Sequence, residues 1–99
     1  MKLFAITYDL RHPGRNYQEL YDSIKLVAES DNWQHPMESY WVIAVSELST
    51  YDANSLYEIF RQHIDDNDSL IVMRMDQSDR QGWMPKSFWE WVKDKSARL

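Results

Sequence analysis

Three strand-like runs in this chain are apolar on both of their faces, and that constrains the fold more than any other feature. In Leu3 to Leu10, Phe4, Ile6, Tyr8 and Leu10 share one face, while Leu3 and Ala5 open the other and Thr7 and Asp9 complete it. Ser39 to Glu47 divides in the same way into Trp41, Ile43 and Val45 against Tyr40, Val42 and Ala44, rich in β-branched and aromatic residues. Leu70 to Met75 sets Ile71, Met73 and Met75 against Leu70 and Val72, with Arg74 leaving the second face near its end. A strand with two apolar rows has to be covered from both sides, so the sheet needs a layer above it and a layer below.

Between these runs the period changes from two to three and four. Tyr17, Leu20, Tyr21, Ile24, Val27 and Ala28 form the stripe of an amphipathic helix, with Asn16 placed to cap it and Glu19 three residues on. A second helix opens at Ser49 or Asp52 and carries the stripe Ala53, Leu56, Ile59, Phe60, His63 and Ile64, ending in the turn Asp65-Asp66-Asn67-Asp68. Trp33, His35 and Met37 alternate with Gln34 and Pro36, a short strand that Pro36 assigns to a sheet edge or a bend. Beyond a polar turn containing Gly82, Pro85 starts a third helix with Phe88, Trp91 and Val92 facing inward, which leaves Trp89 as the tryptophan best placed for exposure.

Strand, helix, strand, strand, helix, strand is the order of an α+β, ferredoxin-like βαββαβ sandwich, here with an appended C-terminal helix. At 99 residues the chain makes a single domain, residues 1–99, with one core region and no linker or repeat. Such a topology puts the two main helices on one face of the sheet. The opposite face, with Leu3, Ala5, Thr7 and Asp9, then needs the C-terminal helix or a second copy of the chain, and a homodimer is the economical expectation.

Composition narrows the chemistry. The chain holds no cysteine, which excludes disulfides and thiolate metal sites and fits a cytoplasmic protein. The apolar stretch at the N-terminus is too short for a membrane span, so no membrane association is expected. A net charge of −5 opposes non-specific binding to phosphate, so any RNA or DNA partner requires a local basic patch. Neither a glycine-rich phosphate loop nor a nucleophile elbow is present.

Chemistry-bearing residues gather where the first strand ends. Asp9 belongs by alternation to the open face, and in a dimer it approaches its twin; two such carboxylates are tolerated when protonated, separated by water or bridged by a divalent cation. Mg²⁺ or Mn²⁺ held there is able to activate water against a phosphodiester, which makes Asp9 the candidate metal ligand and catalytic acid. The plainer role for an acid at this point is to accept hydrogen bonds from nearby backbone amides. Arg11, His12 and Arg15 follow it, suited to meet phosphates or to pair with surface acids, with His12 as a candidate general acid or base. His35 and His63 read as hydrogen-bonded structural residues. The acidic turn at 65–68 lacks the glycine and distal glutamate of a calcium loop and reads as a solvated helix end. Five tryptophans offer stacking platforms for bases, with core and interface packing as the default use.

These residues resemble a family. Tyr8-Asp9-Leu10 followed by Pro13-Gly14, Tyr17 with Leu20 and Ile24-Lys25, Trp33 with His35, Ser39 with Trp41-Val42, Asp68 with Leu70 and Val72, and Gly82-Trp83 are similar in order and spacing to the SinR-like proteins. Their broader relatives are the CRISPR-associated protein 2 of CRISPR adaptation and the VapD-type ribonucleases. The resemblance implies a ferredoxin-like fold, dimerisation and, in the nuclease relatives, a metal-binding acid from each subunit at the position of Asp9. The chain departs from the nuclease pattern: no basic run leads from the first strand into its helix, and Met37-Glu38-Ser39-Tyr40-Trp41 stands where a Gln-x-Ser-Val-Phe type stretch would be. The expectation is a small dimeric, non-catalytic binding or regulatory module linked to nucleic acid, a protein partner or antiviral defence. Its alternative is a metal-dependent endonuclease using paired Asp9 carboxylates, with Arg11 and Arg15 on the nucleic acid.

Overall fold

A computed structural model describes residues 1–11, 17–75 and 79–98. The elements are β1 (Lys2–Asp9), α1 (Gln18–Ala28), β2 (Trp33–Met37), β3 (Tyr40–Val45), α2 (Ala53–Arg61), β4 (Ser69–Arg74) and α3 (Lys86–Ser96). The four strands form one antiparallel sheet in the order β2-β3-β1-β4, giving an α+β architecture with three helices. The strands with two apolar rows, β3, β1 and β4, are consecutive in the sheet, and the polar, proline-containing β2 is an edge as its composition predicts.

Alternation works as the sequence suggests. Phe4, Ile6, Tyr8, Trp41, Ile43 and Val45 meet Leu20, Ile24, Ala28, Leu56 and Phe60 in a core between the sheet and the helices α1 and α2. On the opposite face Leu3, Val42 and Ala44 meet Phe88 and Val92 of α3. The C-terminal helix is therefore the cover for one half of the second face. In the other half, α3 leaves Ile71 and Met73 each 54% exposed beside half-buried Thr7 and Tyr40. The need for a cover, which made a dimer the economical expectation, is thereby confined to half a face.

Local chemistry accounts for the element ends. Asp52 caps α2 reciprocally with Ser55, accepting from the Ser55 N–H at 2.7 Å while its own N–H donates to Ser55 Oγ at 3.0 Å. Helix α2 stops at Arg61, so His63 and Ile64 continue its stripe from the following turn. Helix α1 begins at Gln18 with Tyr17 in the cap position and no side-chain cap, while the expected cap Asn16 lies outside the described residues. Its C-terminal end passes through Glu29 and Ser30 at φ 63° and 45°, left-handed backbone that favours glycine.

Two details depart from simple alternation. A bulge between Gln34 and Met37 in the β2–β3 register brings Met37 opposite Tyr40, so Met37 leaves the face of Trp33 and His35. The expected exposure of Trp89 is corrected: Trp89 packs edge-on to Phe88 with ring centroids 5.1 Å apart, and Trp83 is the fully exposed tryptophan. The reason is the segment before α3, which runs back over the Trp89 ring at Gly82, where an added Cβ would stand 3.4 Å from it.

Candidate functional site

The end of β1 is tied down by Asp68. Asp9 lies opposite Ser69 in the β1–β4 register, so the residue before β4 stands beside the chain leaving β1. Asp68 Oδ1 accepts the Arg11 backbone N–H at 2.8 Å, and Oδ2 accepts that of Asp65 at 2.9 Å. The Tyr17 hydroxyl donates to the same carboxylate at 3.2 Å. One side chain thus fastens the exit of β1, the start of α1 and the turn into β4. The acidic turn, expected as a solvated helix end, lies beyond the end of α2 at Arg61 and leads into β4, and Asp68 is its organising member, a role that depends on partners about 50 residues away.

Asp9 itself is 65% exposed and its Oδ2 accepts from Arg11 Nε at 3.0 Å. The structure brings Asp9 and Arg11 together as an ion pair, the use of Arg11 that competes with phosphate binding. His12 and Arg15, the other two residues of the expected cluster, lie outside the described residues.

A shallow groove beside Asp9 is lined by Tyr8, Leu10, Tyr21, Glu38 and Ser39. The Tyr8 hydroxyl accepts from Trp41 Nε1 at 2.9 Å and donates to the Glu38 carbonyl at 2.8 Å. Burial pushes its pKa well above the ordinary tyrosine value, so Tyr8 is a fixed neutral hydrogen-bonding group and not a proton carrier. His35 stacks on Trp41 with centroids 3.9 Å apart, and its Nε2 lies 3.0 Å from the same Glu38 carbonyl, which makes Nε2 the protonated nitrogen. Trp41 also meets Tyr21 at 5.8 Å and Trp33 at 5.3 Å. His63 Nδ1 sits 3.9 Å from Glu19, between the end of α2 and α1. His35 is thus the hydrogen-bonded residue expected, whereas His63 makes a longer contact with a carboxylate.

Mg²⁺ or Mn²⁺ prefers several oxygen ligands converging on one point. Within one copy the residues present do not fit such an ion: Asp9 is paired with a guanidinium, and the Asp68 oxygens are taken by three donors. Among the described residues no group of three or more His, Asp or Glu side chains is placed to hold a metal.

The open half of the second sheet face carries a cavity of about 250 Å³, floored by Ala5, Thr7, Tyr40 and Met73 and bordered by Arg74, Asp79 and Arg80; the Arg80 guanidinium donates to the Met75 carbonyl, and that of Arg74 turns over Phe4 on the opposite face. Sequence reasoning passed over these two arginines because they are far from Asp9 along the chain and belong to no cluster there. No helix among the described residues is long and apolar enough to cross a membrane. No family model matches the chain, and no curated protein matches it.

Proposed function

We propose that this chain is a homodimeric, non-catalytic binding or regulatory module of the SinR-like, CRISPR-associated protein 2-like class, acting in the cytoplasm with nucleic acid or in antiviral defence. The carrying observation is the Asp9–Arg11 ion pair at 3.0 Å, which gives the carboxylate a nuclease of this class would offer to a metal a competing cationic partner. Read from its β4 edge the strand order is 4-1-3-2, with α1 and α2 on one face, which supports the ferredoxin-like assignment. The apolar half-face with Ile71 and Met73 supports the dimer.

The competing reading is a Mg²⁺- or Mn²⁺-dependent endonuclease with one Asp9 from each copy, favoured by the exposure of Asp9 at the rim of the open face. Incubating the purified protein with labelled single-stranded RNA and double-stranded DNA and either metal decides between them. The module reading expects no cleavage beyond buffer controls and retention of the folded dimer. Metal-dependent cleavage that disappears in a folded Asp9→Ala variant would overturn it and establish the nuclease.

A further inference from the structure

Trp83 is wholly exposed, although the residues on either side of it are packed: Gly82 lies against the ring of Trp89, and Met84 joins the cluster beneath α3. The indole therefore projects from an anchored stretch of backbone, with about 250 Å² of surface left in water. Beside it the open half-face has a recess of matching size. Met37, Tyr40, Thr7 and Ile71 are cross-strand partners and make one row over all four strands. The cavity of about 250 Å³ opens over Thr7 of this row and Ala5 of the next. A hollow of about 150 Å³ suffices for benzene, so this one takes the two fused rings of an indole, with Met73 and Met75 offering sulfur to the ring edge. A smaller hollow of about 130 Å³, lined by Gly82, Met84 and Met37, shares Tyr40, Met75 and Arg80 with it. Knob and hole thus stand side by side on one surface.

We propose that Trp83 of each copy inserts into this cavity of the other in a face-to-face dimer. This names the interface of the dimer inferred above and rests on that reading. A twofold axis lying in the interface, midway between knob and hole, exchanges them, so both contacts form at once and the assembly closes at two copies. A surface that carries a projection together with the recess that fits it is complementary to itself, which singles out a second copy as the occupant. Each indole takes its own area and a comparable area of cavity wall out of water, about 1,000 Å² for the pair, which reaches the size of a specific interface. Ile71, Met73 and Met37, each about half exposed, add to it, and the contact covers the half-face that α3 leaves open.

Trp83→Ala removes the knob and Thr7→Phe fills the hole; Leu48→Ala, at an exposed leucine in the turn after β3, is the control. Circular dichroism checks that each variant melts as wild type does, and Trp83→Ala decides alone if Thr7→Phe does not. Sedimentation gives the dissociation constant of each variant and of an equimolar mixture of Trp83→Ala with Thr7→Phe, in which a heterodimer keeps one knob in one open hole. The expected result is a wild-type dimer of the 12.0 kDa chain, with the dissociation constant raised at least about thirtyfold in Trp83→Ala and in Thr7→Phe, and a mixture that associates at least about tenfold more tightly than either variant alone. A loss in Trp83→Ala no larger than that in Leu48→Ala, or a mixture no tighter than its components, means that Trp83 and the cavity are not partners. Either overturns the contact and leaves the dimer standing. A wild type that stays monomeric at every concentration removes the dimer and the contact together.

Discussion

On one side of the sheet two helices close a core around Trp41, which is 1% exposed, and every inward row of β1 and β3 is buried there. On the other side a single helix covers Leu3, Val42 and Ala44 and stops short of Ile71 and Met73. The two faces have similar apolar rows in sequence, so the difference comes from how much cover the chain supplies. One face is a finished interior, and the other is half interior and half surface. Stability and association therefore belong to different faces of the same strands.

The largest effect that tests this contrast is Trp41→Ala, which removes a buried ring, its hydrogen bond to Tyr8 and the surface on which His35 stacks. It is expected to cost about 3–5 kcal/mol in urea unfolding. Phe88→Ala on the α3 side is expected to cost less, about 3 kcal/mol at the low end for such a truncation, because a helix over half a face can settle into the space left. An equal or larger loss for Phe88→Ala would break the contrast. Tyr8→Phe keeps the ring and leaves Trp41 Nε1 without its partner, while the Glu38 carbonyl retains only His35, for about 1–3 kcal/mol.

Two smaller effects sharpen the comparison. Hydrogen bonds from Ser55, backbone first, lower the Asp52 pKa below its ordinary value of 3.8, so the folded state favours the ionised cap. The cap's contribution is present above that ordinary value and lost as pH falls through the depressed one. The melting temperature of Asp52→Ala should therefore lie below wild type at neutral pH, and the gap should narrow in acid. Ile71→Lys on the open half should change the stability of the isolated chain by no more than about 0.5 kcal/mol while shifting sedimentation toward monomer. A large loss of stability there would mean that Ile71 belongs to the interior.

Alternation carried most of the fold: the division of β1 and β3 into two rows, the Asp52 cap and the edge position of β2 were legible because each depends on residues close in sequence. The bulge at Met37 was not legible, since a register shift depends on the partner strand as much as on the bulged one. Helical phase put Trp89 outside; the packing of Gly82 on its ring, set by how the preceding segment folds back, leaves it half-buried. At the candidate site Asp9 and Arg11 were named from adjacency, whereas Asp68 draws its importance from Arg11 and Tyr17, a separation over which local patterns carry no information.

Trp83 stands wholly in solvent while Trp41 is sealed beneath His35. The two indoles therefore report on different events: water relaxes around the first and red-shifts its emission, and the second is shielded beneath a stacked imidazole. A quencher dissolved in the buffer reaches Trp83 of a single copy at once and Trp41 only when the strands part. With Trp33, Trp89 and Trp91 replaced by phenylalanine, the remaining two are a pair of optical probes, one for what touches the surface and one for the integrity of the interior.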